Sequence, residues 1–176
     1  TTAFLGEMEQ VHNLVLLVLS VITINAGGNI INDIYDLKID RINRPDRPLP
    51  SGAMSVAQAL IYLIFLFAAG ILLSWFISVE AFIIAGPISI PTLIAYSACF
   101  KRQPLIGNLI VSFMLGLAFV YVGAAFGNIQ ATLVMAALAF GFTLIREIVK
   151  DLEDMEGDSR VEARTLPLVW GEAKTL

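Results

Sequence analysis

The chain has one cysteine, Cys99, in 176 residues, so no disulfide can form within it. Charge is scarce too. Asp, Glu, Lys and Arg make up 15% of the residues, against about 25% in a soluble domain. With 57% of residues hydrophobic, that balance excludes an ordinary soluble fold and predicts a membrane protein. There is no basic stripe and no aromatic nucleic-acid module, which excludes nucleic acid as a partner. The sequence contains no Walker loop, no dinucleotide fingerprint, and no Ser or Cys in a nucleophile context. Its single histidine, His12, lies in an apolar stretch with no cysteine nearby, which argues against a His/Cys metal centre. Residues 1–10 carry Glu7 and Glu9 but nothing basic, unlike a secretory signal. The chain does not start with methionine, and the expectation is that it is a piece of a longer protein.

What is present is mostly long apolar segments. A bilayer core about 30 Å thick is crossed by about 20 helical residues, and five segments meet that length: 11–32, 55–79, 81–98, 105–126 and 130–149. The predicted fold is all-α, a multipass transmembrane helical bundle. All eleven Lys and Arg fall in alternate connecting segments: Lys38, Arg41, Arg44 and Arg47; then Lys101 and Arg102; then Arg146, Lys150, Arg160, Arg164 and Lys174. The opposite face has only Glu7, Glu9 and Glu80. By the positive-inside rule, the basic segments are cytoplasmic, in a cell membrane. Gly86, Pro87 and Pro91 interrupt the third segment and predict a bend there, since proline removes a backbone donor. Trp75 and Trp170 are candidate interfacial anchors.

Two carboxylate triplets share one spacing. Asp33, Asp36 and Asp40 follow the first span, and Asp151, Asp154 and Asp158 follow the fifth. Offsets of 3 and 7 place each triplet on one face of a helix, with Asn29 and Asn32 near the first face one turn earlier. Like charges stacked in this way repel, and divalent cations offset the repulsion. Mg²⁺ prefers a few carboxylate oxygens plus substrate phosphates to an all-protein cage. The Ca²⁺-loop pattern fails, because no glutamate follows Asp158 at the required position. A single acidic triplet is commonly a solvated helix end. Two with equal offsets on one inferred membrane face fit a magnesium-diphosphate site better, although two solvated acidic loops remain an alternative.

Basic residues lie close by in sequence. Arg44 and Arg47 follow the first triplet, Lys101 and Arg102 occupy the next cytoplasmic loop, and Arg146 and Lys150 precede the second triplet. Individually each fits a topological role; together they are candidate ligands for a diphosphate. The stretch 43–52, with Pro45, Pro48 and Pro50, is too proline-rich to be a helix. It is either a structural turn or a stiff loop that holds Arg44 and Arg47 over the acidic face.

The run Asn32-Asp33 through Asp36 and Asp40, continuing as Arg41-Ile-Asn-Arg-Pro-Asp-Arg-Pro-Leu-Pro-Ser-Gly52, resembles the first signature of the UbiA-type intramembrane prenyltransferases. Asp151, Asp154 and Asp158, followed by Thr165-Leu166-Pro167 and Gly171-Glu172, resemble the second. The resemblance implies a bundle of nine transmembrane helices, of which this chain supplies five, with Mg²⁺ held between the two Asp-rich regions. It implies an isoprenyl diphosphate as donor, a lipid or aromatic acceptor, and membrane lipids as surroundings. In this likeness all six aspartates are catalytic metal ligands. Asn29, Asn32, Arg44, Arg47, Lys101, Arg102, Arg146 and Lys150 serve the diphosphate. The stretch 43–52 is most similar to archaeal ether-lipid members, whose acceptor is a glycerol phosphate ether lipid, and next to quinone and chlorophyll members. A rival outside the family is a cation-binding membrane transporter, which predicts carboxylates buried inside the spans. A second is a non-catalytic bundle whose acidic loops recruit a soluble partner.

Overall fold

The computed structural model describes residues 2–153, 155 and 166–171. Helix α1 is Thr2–Asn43, α2 is Val56–Ile77, α3 is Val79–Phe100, α4 is Ile106–Ala125, and α5 is Ile129–Glu153. A short α6 is Leu166–Trp170. No strand occurs among the described residues. Five helices are long and apolar enough to cross a membrane, and large apolar side chains such as Ile61, Phe65, Val134 and Phe142 cover the bundle's outside. Apolar residues facing outward are what a lipid solvent requires. The chain is a multipass, all-helical membrane protein.

Helix boundaries follow local chemistry. Ser55 caps α2, accepting from the Gln58 amide at 3.2 Å while the Gln58 side chain returns to the Ser55 amide at 2.9 Å. This reciprocal box satisfies donors that the first turn would otherwise leave bare. Between α2 and α3 a single extended residue, Ser78, reverses the chain; it is the C-cap of one helix and the N-cap of the next. The sequence had assigned that junction to Glu80, which lies instead in the first turn of α3.

The predicted interruption of the third span takes the form of a wide π-helical turn, Ile84–Ser89, with Pro87 inside it. Its Ser89 hydroxyl donates to the Ile84 carbonyl at 2.7 Å, across the width of the π turn. A second π-helical segment, Tyr96–Phe100, has no proline and was not foreseen. Helix α1 also runs farther than the apolar pattern, carrying Asp33, Asp36 and Asp40 on its last turns.

Helices pack in two close pairs, α1 on α2 and α4 on α5. Small residues make this possible, as expected where dispersion rather than hydrophobicity drives association. A methyl group added to Gly70 would come within 2.5 Å of the Ile24 side chain, and one added to Gly116 would lie 3.0 Å from the Ala136 carbonyl oxygen. The main core joins Leu17 and Ile24 of α1, Ala81, Ile84 and Ala85 of α3, and Tyr121, Ala124 and Ala125 of α4. Within it the Tyr121 hydroxyl shares hydrogen bonds with Ser20 at 2.5 Å and Ser74 at 2.8 Å, tying α1, α2 and α4 together.

Candidate functional site

The last turns of α1 present Asn32, Asp33, Asp36 and Asp40 along one stripe, because residues three and four apart on a helix are neighbours. Asp40 is the most enclosed of the three carboxylates, its side chain 11% exposed. The non-helical loop after α1 turns back and delivers Arg47. One of its nitrogens, Nη1, donates to Asp33 at 2.9 Å and to Asp40 at 2.7 Å. The end of α3 brings Lys101, whose Nζ donates to Asn32 Oδ1 at 2.9 Å and pairs with Asp36. Arg102 approaches Asp36 at 3.7 Å. Three cations from two loops thus neutralise the stripe, and each carboxylate of the triplet has a positive partner.

The second motif begins at the last turn of α5. Asp151 accepts a hydrogen bond from the side-chain amide of Asn108 at 2.8 Å, which links it to the start of α4. Asp154 and Asp158 lie outside the described residues. Tyr96, on the second π-helical segment, lies within electrostatic range of Glu147, Asp36 and Asp151. One carboxylate from each acidic motif therefore sits at the same end of the bundle, near this tyrosine.

Beneath them is a mainly apolar cavity of about 410 Å³, lined among others by Ile84, Leu93, Met114 and Leu117. Asn25, Arg146 and Glu147 add polar groups to its wall, and Tyr121 lines it too. A concave, mainly apolar space with a few convergent polar groups is the usual form of a ligand site. A wider polar hollow of about 760 Å³ opens near Glu9, Glu80 and Asn128, by the junction between α4 and α5. It is lined by none of the acidic-motif residues.

Of the residues singled out from sequence, the structure assembles Asn32, Asp33, Asp36, Asp40, Arg47, Lys101 and Arg102 into one network. Asn29 and Arg44 are exposed and outside it. Arg146 is paired with its neighbour Glu147 rather than with an aspartate, and its side chain is 72% exposed. Lys150 is exposed and forms no ion pair among the described residues. Sequence reading missed Tyr96, Asn108 and Glu147. Asn108 had a usable signal, since an asparagine in an apolar helix is costly unless it is paired.

As a cation site the stripe has the right donor chemistry, with hard carboxylate oxygens and an amide oxygen. Among the described residues no three acidic side chains converge on one point. Two do: oxygens of Asp33 and Asp40 meet at the same nitrogen of Arg47. A single positive centre already fits between them.

The UbiA prenyltransferase family matches residues 3–176. A digeranylgeranylglyceryl phosphate synthase from Thermococcus kodakarensis is 41% identical over 169 residues, 96% of this chain and 61% of that protein. One from Thermococcus gammatolerans is 44% identical over 170 residues, 97% of this chain and 61% of its own length. The chain spans about three-fifths of the length of the curated relatives it matches. Among solved structures, a digeranylgeranylglyceryl phosphate synthase in membranes superposes with a TM-score of 0.85 at 38% identity, over 93% of this chain and 58% of the other. A UbiA homologue from Archaeoglobus fulgidus bound to DMAPP and Mg²⁺ superposes at 0.81 with 25% identity, over 93% and 60%.

Proposed function

The chain belongs to the UbiA prenyltransferase family, and on that premise we propose that the whole protein transfers a geranylgeranyl group from its diphosphate to geranylgeranylglyceryl phosphate. The observation that carries this reading is the placement of Asp36 and Asp151, one from each acidic motif, near Tyr96 and Glu147, the last of which also lines an apolar cavity. An anionic head and a long hydrocarbon tail fit such a site. The acceptor is favoured over quinone or tetrapyrrole precursors because the relatives that match along nearly the whole chain are named for it. A cation transporter is disfavoured because the aspartates stand at the helix ends.

In this reading Asp33, Asp36, Asp40 and Asp151, with Asp154 and Asp158, hold Mg²⁺. When bound, the metal neutralises charge on the departing diphosphate oxygens. The protein's own cations do the rest of the electrostatic work. Arg47, Lys101 and Arg102, held beside the carboxylates of the stripe, are the cations available to phosphate oxygens bound there. Positive groups fixed before the reaction stabilise the negative charge that develops as the allylic carbon–oxygen bond breaks. The apolar wall, including Leu93, Met114 and Leu117, holds the prenyl tail and keeps water from the carbocation. The acceptor hydroxyl oxygen then bonds to the allylic carbon and its proton passes to the released diphosphate, which departs. The Asp-rich end is proposed to face the cytoplasm, supported by the confinement of every Lys and Arg to that side of the predicted spans.

The test is a product assay on the full-length protein, with geranylgeranyl diphosphate offered alongside geranylgeranylglyceryl phosphate, 4-hydroxybenzoate and chlorophyllide. A digeranylgeranylated glycerol phosphate as main product is expected, and Asp36→Ala should abolish it without loss of membrane insertion. Product on another acceptor would replace the substrate assignment. Normal turnover by Asp36→Ala would overturn the site assignment.

A further inference from the structure

Away from the acidic residues, the apolar cavity meets close packing at Tyr121. Tyr121 lines it and also belongs to the compact core formed by Leu17, Ala81, Ala124 and Ala125. One edge of the side chain meets the cavity and the rest is closely packed, the residue being 5% exposed. The hydroxyl is bonded to Ser20 of α1 and Ser74 of α2, and both serines are fully buried. Each serine is itself anchored: Ser20 donates to the Leu17 carbonyl at 2.8 Å and Ser74 to the Gly70 carbonyl at 2.7 Å. The ring is therefore held from two helices other than its own and is not free to swing aside.

Depth follows from helix geometry. At 1.5 Å per residue, Ser20 stands about 20 Å along α1 from Asp33, in a hydrocarbon core about 30 Å thick. The tyrosine ring lies at this level, well below the charged mouth, where the far end of a prenyl tail would come to rest. Ala118, one turn nearer the mouth on α4, also lines the cavity and has open space beside it.

We propose that Tyr121, fixed by Ser20 and Ser74, is the floor of the tail cavity and sets the longest prenyl chain the enzyme accepts. This inference rests on the prenyl-transfer reading above and adds a specificity-determining residue to it. The aromatic ring is the barrier, and the hydroxyl is the clamp that holds it across the cavity.

The test compares full-length wild type, Tyr121→Ala, Tyr121→Phe and Ala118→Leu in kcat/KM for geranyl, farnesyl, geranylgeranyl and farnesylgeranyl diphosphates. Thermal stabilisation by each diphosphate is measured in parallel. Tyr121→Ala should raise the ratio of farnesylgeranyl to geranylgeranyl use by roughly tenfold, the change a modest difference in binding free energy produces. Tyr121→Phe keeps the ring but loses the clamp to Ser20 and Ser74, and should fall between wild type and Tyr121→Ala; a wild-type order would remove the hydroxyl from the proposal. Ala118→Leu raises the floor and should shift preference toward farnesyl or geranyl diphosphate. Ala118→Leu adds bulk to open space, so it carries the test even if Tyr121→Ala does not fold. If wild type uses the diphosphates but neither Tyr121→Ala nor Ala118→Leu changes the order, the floor assignment is wrong and the prenyl-transfer reading stands. Failure of wild type to use or bind any of the four overturns both.

Discussion

The side-chain amide of Asn108 donates to Asp151 at 2.8 Å, joining the first turn of α4 to the head of the second acidic motif. A hydrogen bond to a charged acceptor contributes about 1.5–3 kcal/mol, and this one ties the carboxylate to α4. Asn108→Leu in the full-length protein is expected to lower kcat/KM for diphosphate release by at least about tenfold, a factor that corresponds to 1.4 kcal/mol. Asn108→Asp sets a like charge beside Asp151 and should lower it further. Steady-state kinetics with wild-type values for both variants would show that the contact has no part in the reaction.

Arg47 and a divalent cation compete for the same two carboxylates if the stripe is a metal site, because Asp33 and Asp40 both bind one guanidinium nitrogen. Removing the arginine leaves like charges facing each other, to be neutralised from solution. Arg47→Ala should therefore be stabilised more by Mg²⁺ alone than wild type is, in a thermal-shift titration without substrate. Its prenyl-transfer rate should nevertheless fall, since a cation for the phosphate is gone. Equal stabilisation of the two proteins by Mg²⁺ would count against a shared position.

The helix pair α4–α5 makes a sharper test of packing, because two glycines in it have opposite surroundings. A methyl group at Gly116 meets the Ala136 carbonyl oxygen at 3.0 Å, whereas at Gly141 nothing lies within 4 Å. Gly116→Ala should cost about 1–3 kcal/mol through forced separation of the helices. Gly141→Ala should be neutral or slightly stabilising, since alanine is the better helix former by up to about 1 kcal/mol. Thermal unfolding in detergent reads both, and equal melting temperatures would remove the close-approach argument.

Around Tyr121 three hydroxyl protons serve four contacts, two to serines and two to backbone carbonyls. Losing the phenol hydroxyl leaves each serine proton a carbonyl to bond. Tyr121→Phe is thus expected to cost only about 0.5–1.5 kcal/mol, seen as a small drop in melting temperature. A cost several times larger would mean that the hydroxyl clamp bears more of the bundle's stability than the serines' own anchoring allows.

The apolar spans were legible because membrane crossing leaves a signal about 20 residues long, and all five appear as helices. The first acidic stripe was legible for a related reason: offsets of 3 and 7 fix a helical face wherever the helix ends. The partners on that face were not. Arg47 reaches Asp33 and Asp40 only because a proline-rich loop doubles back, and nothing in the spacing distinguished it from Arg44. Lys101 was visible as a basic loop residue, but its contact with Asn32 spans 69 positions. Tyr96 and Glu147 carry no periodic signal at all, since their significance lies in which other helices stand beside them. The π-helical segment at Tyr96 has no proline to announce it.

Those wide segments of α3 bear on angular register. A π turn encloses one more residue in each hydrogen-bonded ring than an α turn does, while each residue of an α-helix advances the azimuth by about 100°. Everything downstream of 84–89 and 96–100 is therefore rotated relative to the heading an unbroken α-helix would give it. Straightening either segment into a regular ladder with no residue removed would turn Lys101 by about 100°, away from Asn32 and Asp36, whereas deleting one residue along with the straightening would keep its heading. The direction in which the lysine points is thus set by the winding of the helix that carries it.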